Sequence, residues 1–186
     1  MMGVQKIYIS WTKDDWQIDG QSQPEPAHDG TLKGRLSAMY KWLKLDYPKF
    51  HKMDNLSKMG VLGVEMVRSK MDLSRFGEDD LALHFQNASA SLDTDWAHQQ
   101  NINEGKAASP ANFVYTLPNI VLGEIAIRNK WYGENLFLLK DCFDLEQWMK
   151  TNQVWFAQNK AKAVIGGWVE VLQEEFELQL YLVEKE

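Results

Sequence analysis

The chain has 186 residues, 45% of them hydrophobic and 25% charged, enough to bury the core of one domain (1–186) without disulfides or a structural metal. A formal charge of -6 with dispersed Lys and Arg argues against nucleic-acid binding, and a single cysteine, Cys142, excludes an internal disulfide or a Cys-rich zinc site. No apolar run, including the opening MMGVQKIYISW, is long enough for a signal peptide or a bilayer span, so the expectation is a cytoplasmic protein without a membrane segment.

In chain order, Val4 to Ser10 is β-branched and aromatic and predicts a first strand. Trp11 to Gly34 is polar and punctuated by Gly20, Pro24, Pro26 and Gly30, which predicts a long loop. Leu36, Met39, Tyr40 and Leu43 predict a short helix over 36–45, ended by Pro48. A second helix covers 55–70, with Gly60 and Gly63 on its apolar face, where small residues permit close packing. DDLALHF predicts a second strand, followed by a small, polar turn (86–92) and a mixed segment over 93–103. Loop signals fill 107–116, and a helix follows over 117–129 with Pro118 in its first turn. NLFLLK (135–140) is an apolar third strand, and 144–159 has helical spacing. KAVI (162–165) is a fourth strand running into Gly166-Gly167. Phe176 to Val183 alternates cleanly and predicts a final antiparallel strand with one solvated face. This order predicts an α/β fold: a five-stranded, mostly parallel sheet with a last antiparallel strand and helices on both faces.

Among chemistry-bearing residues, Cys142 falls between a predicted strand and a predicted helix, where a helix N-terminus favours a thiolate. His28, His51, His84 and His98 have no spacing to one another or to paired carboxylates that makes a metal site, so neither metal nor cofactor is expected, and His84 reads as a strand residue in or near the core. Ser89 and Ser91 suit a substrate-side loop, although small polar residues also simply make turns. Gly166-Gly167 lacks the remainder of any phosphate-binding loop.

Three stretches resemble the N-terminal half of β-ketoacyl-ACP synthases, members of the thiolase superfamily. They are YPKFHKMDNLSKMGVLGVEM (47–66), ASPANFVYTLPNIVLGEIAIRNKWYGEN (108–135), and NLFLLKDC with the residues after it, including Gly166, Gly167 and Glu170. The resemblance implies half of a thiolase-like fold and puts Cys142 at the family's nucleophile position. It extends in particular to short ketosynthase-like proteins that consist of this half only, some of which are called chain-length factors and accompany aryl-polyene and flexirubin-type pigment clusters. The family surrounds its cysteine with small residues, whereas here the neighbours are Asp141, Phe143, Asp144 and Leu145. Flanking carboxylates oppose thiolate formation. The family's catalytic histidines come from a C-terminal half that this sequence does not contain.

The resemblance therefore implies a non-catalytic, chain-length-factor-type partner of a fatty acid or polyketide ketosynthase. Phe143, Leu145 and Trp148 would serve as plugs of an acyl tunnel. Asn135, Leu136, Phe137, Leu138, Leu139 and Lys140 would form a dimer-edge strand. The implied partners are a second copy or a full-length ketosynthase, with an acyl carrier protein as a further candidate that the acidic charge disfavours. The alternative is an enzyme, an acyltransferase or condensing enzyme acting through Cys142.

Overall fold

A computed structural model describes residues 3–107 and 109–186; Ala108, the first residue of the second matching stretch, lies outside the described residues. The strands are β1 (Gly3–Trp11), β2 (Trp16–Ile18), β3 (Gln21–Ser22), β4 (Leu81–Asn87), β5 (Asn135–Leu139), β6 (Ala163–Leu172) and β7 (Glu175–Lys185). The helices are α1 (Leu32–Trp42), α2 (Asn55–Lys70), α3 (Leu92–Asn103), α4 (Pro110–Val114), α5 (Ile120–Asn129) and α6 (Leu145–Ala157).

All the strands join one seven-stranded sheet in the order β3-β2-β1-β7-β6-β4-β5. This corrects the five-stranded expectation. The segment read as a long loop turns back at Asp19-Gly20, both with positive φ, to form β2 and β3, and then enters α1 at the Thr31 cap. The sheet is also mixed rather than mostly parallel. Only β4 runs parallel to its neighbours β5 and β6; the β6–β7, β7–β1, β1–β2 and β2–β3 pairs are antiparallel. The cause is β7, which returns from β6 through the Gln173-Glu174 turn and inserts between β6 and β1.

Helices cover both faces. On the first face, α1, α2 and α5 bury Leu36, Met39, Met59, Leu62, Val121 and Ile125 against Ile9, Phe85, Val169, Leu178 and Leu180. α2 is capped by Asp54, whose carboxylate accepts from Ser57 N–H at 2.9 Å. Its Gly63 lies against Leu178 and its Gly60 against Val121 and Phe85, the close packing expected of small residues. On the second face α6, capped by Asp144, seals a smaller core of Trp148, Phe156, Ala82, Val164, Tyr181 and Val183.

Other departures are local. α1 ends at Trp42, and Lys44 just beyond it takes the left-handed conformation, well before Pro48, which instead opens a 3-10 turn. The mixed segment after β4 is helix α3, which buries none of its residues. Ser109 caps α4 with Pro110 in its first turn, and Pro118 precedes α5 rather than entering it. Gly166-Gly167 lies inside β6 and does not end it. A Cβ on Gly166 would collide with the His84 carbonyl, and Gly167, at φ 143°, presses on the Gln179 carbonyl.

Candidate functional site

The topology selects one end of the sheet. After β4 the chain passes along the first face through α5 to β5 on one side; after β5 it passes along the second face through α6 to β6 on the other. Open α/β sheets bind ligands in the crevice beyond the carboxyl ends of strands at such a reversal. Here that end carries Asn87, Ala88 and Ser89 after β4, Lys140 to Phe143 after β5, and Glu170 on β6.

The loop after β4 is held rigidly. Asn87, fully buried, accepts from Ala90 N–H at 3.0 Å and donates to the Ala90 carbonyl at 2.9 Å. Glu170 Oε2 reaches across from β6 to accept from Ala88 N–H (2.6 Å) and Ser89 N–H (3.2 Å), while its Oε1 is buried without a partner. Ser91 is buried, and its hydroxyl donates to the Thr116 carbonyl at 2.6 Å, with the Asp95 carboxylate 3.2 Å away, a tie between α3 and the chain after α4. Ser89 thus lies at the crevice through its backbone, and the Ser91 hydroxyl is committed to the fold.

Cys142 is exposed, on a bend two residues ahead of Asp144, the α6 cap. The Asp144 carboxylate, not the thiol, takes the Gln147 N–H at the head of that helix (3.0 Å). Phe143 turns inward and packs on Trp148, Trp168 and Tyr181, with ring centroids 6.5, 6.4 and 5.8 Å away. Trp148 is fully buried and donates its indole N–H to the His84 carbonyl at 3.0 Å, whereas Leu145 faces solvent. Of the three tunnel candidates, Phe143 and Trp148 thus fill a single aromatic cluster.

The histidines are engaged elsewhere. His84 is buried on the α6 face of β4, with Nδ1 2.7 Å from Asn152 Oδ1 and Nε2 3.0 Å from Gln86 Nε2. Burial, with a smaller push from Lys140, lowers its pKa to about 4 against the opposing Asn152 hydrogen bond, so the ring is neutral near pH 7. His28 contacts Glu25 and Gly30 N–H, His51 packs on Tyr40 and Phe50, and His98 faces Phe113. Among the described residues, no group of three or more His, Cys, Asp or Glu side chains is placed to hold a metal ion. No described helix is long and apolar enough to cross a membrane.

Sequence reasoning missed the His84–Asn152–Gln86 network and the carboxylate bridge made by Glu170. Their partners lie far apart along the chain, as His84 and Asn152 do, and no local spacing announces them. β5 lies last in the sheet, with β4 as its neighbour among the described strands.

No family model matches this sequence, and no curated protein matches it significantly. The fold does match solved structures. A ketosynthase (ApeO) in complex with its chain length factor (ApeC) from Xenorhabdus doucetiae aligns with a TM-score of 0.63 and 12% identity, over 100% of this chain and 80% of that chain. The ishigamide ketosynthase/chain length factor aligns with a TM-score of 0.64 and 13% identity, over 99% of this chain and 62% of its own. A type II polyketide synthase acyl-carrier protein in complex with its hexaketide-bound ketosynthase (AntDE:AntF) gives 0.65 and 12%, over 99% and 62%. This chain therefore spans less than two thirds of the length of the last two. At such identities the likeness is one of fold: the mixed α/β sheet described above is of the ketosynthase type.

Proposed function

We propose that this chain is a non-catalytic partner of a ketosynthase, of the chain-length-factor type, serving fatty acid or polyketide synthesis of the aryl-polyene or flexirubin kind. The observation that carries the reading is the surroundings of Cys142. At the family's nucleophile position the thiol is exposed and precedes the helix cap, acidic residues stand on either side, and all four histidines are committed to other contacts. A cysteine nucleophile needs a neighbouring base or a helix N-terminus to be activated, and neither addresses this sulfur. The likeness of the fold to ketosynthase and chain-length-factor complexes supports the partner role, as does the free apolar edge of β5. Phe143, at the crevice, is the side chain through which the chain would limit an acyl cavity shared with the partner. An acyl carrier protein would then dock on the complex through the ketosynthase.

Co-expression with the full-length ketosynthase encoded beside it tests this. The expected result is co-purification, with product formation unchanged by Cys142→Ala. A thioester adduct on Cys142 after incubation with acyl-ACP, abolished by Cys142→Ala, would instead establish the acyltransferase alternative. Failure to co-purify would remove the partner role.

A further inference from the structure

Most of the chain intersperses its basic residues with acids, but one stretch departs from this. Residues 31–59 carry seven Lys or Arg against two Asp, in a chain whose formal charge is -6. Two of the seven are engaged inside the fold: Arg35 pairs with Glu25 and Lys49 with Glu124, each at 2.6 Å. Of the two acids, Asp54 caps α2 and accepts from the Thr94 hydroxyl at 2.9 Å, while Asp46 is exposed. Lys33, Lys41, Lys44 and Lys52 are exposed and make no ion pair among the described residues.

These lysines belong to one surface. Tyr40, near the end of α1, stacks on Phe50 of the 3-10 turn Pro48–Lys52 (4.6 Å between ring centroids) and meets His51 edge-on (5.0 Å). Its hydroxyl accepts from Tyr47 N–H at 2.9 Å. The turn therefore lies against the end of α1 and brings Lys52 to the same end as Lys41 and Lys44. Lys33 extends the surface toward α2: burial lowers the pKa of Lys58 against the pull of Asp54, and Lys33 is near enough to add to the lowering. The outward side of α1 is low. Leu32, Leu36 and Met39 point into the core, and Gly34, Ser37 and Ala38 line a shallow groove on the other side. Trp42, between Lys41 and Lys44, is 43% exposed and packs edge-to-face with Trp16.

We propose that α1 and the 3-10 turn dock this chain on an anionic lipid bilayer, with Lys33, Lys41, Lys44 and Lys52 meeting the headgroups and Trp42 seated at the interface. Each lysine held near such a surface strengthens attachment roughly five-fold, and tryptophan favours the boundary between headgroups and acyl chains. A bilayer asks for no matching cleft. Small side chains let the helix lie flat, while the long lysines reach past them. A protein partner would call for an apolar centre within the charged rim, and within 31–59 Trp42 alone is an exposed large apolar side chain. The acidic remainder of the chain repels the same lipids, so one orientation is selected. Since β2, against which Trp42 packs, and β5 lie toward opposite ends of the sheet, a partner strand at β5 leaves this surface open.

Co-sedimentation of the full chain with phosphatidylcholine vesicles, with and without about 30% phosphatidylglycerol, tests this. At low salt the wild type should prefer the anionic vesicles roughly 100-fold or more, and about 0.5 M salt should release it. Lys41→Gln combined with Lys44→Gln should weaken binding about 25-fold, two lysines at about five-fold each, and Trp42→Ala roughly ten-fold. Lys150→Gln combined with Lys160→Gln makes the same change of charge elsewhere and should bind like wild type. Matching urea midpoints for the two double variants would show that neither loss is unfolding. Equal weakening by both pairs would overturn the assignment to α1 and the turn. A wild type that stays in solution beside anionic vesicles at low salt would overturn membrane docking, and binding of polyglutamate in its place would assign the lysines to an acidic protein.

Discussion

His84 gives the chain an acid sensitivity that can be calculated. Its ring is enclosed by Trp148 (5.5 Å) and Trp155 (5.9 Å) and held between Asn152 and Gln86. Burial is the main reason its pKa falls from 6.5 to about 4. Above pH 6.5 the ring is neutral folded or unfolded and contributes no pH dependence. As pH falls below 6.5 the unfolded chain takes up a proton that the folded chain refuses, so stability declines with pH until the folded ring titrates near pH 4. At about 1.4 kcal/mol per pH unit, the accumulated loss is about 3 kcal/mol. Urea unfolding of wild type and His84→Gln between pH 7.5 and about 3.5 isolates this contribution from the carboxylates, which both proteins share. Whatever margin wild type holds over the variant at pH 7.5 should shrink by about 3 kcal/mol at the acid end. Two stability curves running parallel across the range, or a His84 ring that titrates near 6.5 by NMR, would refute the argument.

Two further outcomes concern packing at the same end of the sheet. Gly166→Ala puts a methyl group into the His84 carbonyl, a backbone atom paired within the sheet, so the strands must part; a loss of about 3 kcal/mol or more is expected in thermal or urea unfolding. Phe143→Ala removes the half-buried member of the aromatic cluster and should cost about 1–3 kcal/mol, while opening a space beside Trp168 and Tyr181 that a hydrophobic fluorescent probe can report.

The parts of the fold legible in the sequence were those whose signals are local. α2 shows its apolar stripe within a few residues, and β7 its alternation. β5 shows a short apolar run bounded by Gly133 and Asp141. α3 gave no stripe because none of its residues is buried, so the folded helix has no apolar face to record. β2 is too short to set a period, and its Trp16 is buried through contact with Trp42 on α1, beyond any local window. The direction of the sheet depended on where β7 inserts, a contact between Ile9 and Leu180 that local patterns do not contain. At the site, the position of Cys142 was legible from its offset after β5. The aromatic packing of Phe143 and the capture of His84 by Asn152 were not, since both follow from α6 docking on the sheet.

The distribution of polarity over the surface bears on where the proposed partner would sit. One row crosses the α6 side of the sheet through Ser22, Gln17, Ser10 and Gln179, each paired directly with the next. Beside that open stretch, the outer side of α6 carries a Glu146–Lys150 ion pair at 2.6 Å, with both side chains well exposed. Surfaces of this kind are comfortable in water, and burying them would cost hydrogen bonds without returning apolar area. Along the β5 margin the balance reverses: Leu139 is 57% exposed and lines a groove with Pro118, Ile120 and Phe137. Apolar side chains are exposed elsewhere as well, as at Phe113 and Val154, but at β5 one stands beside backbone groups that no described strand pairs. A partner that adds a strand there gains both the apolar burial and the backbone hydrogen bonds, whereas one laid across the open face gains neither.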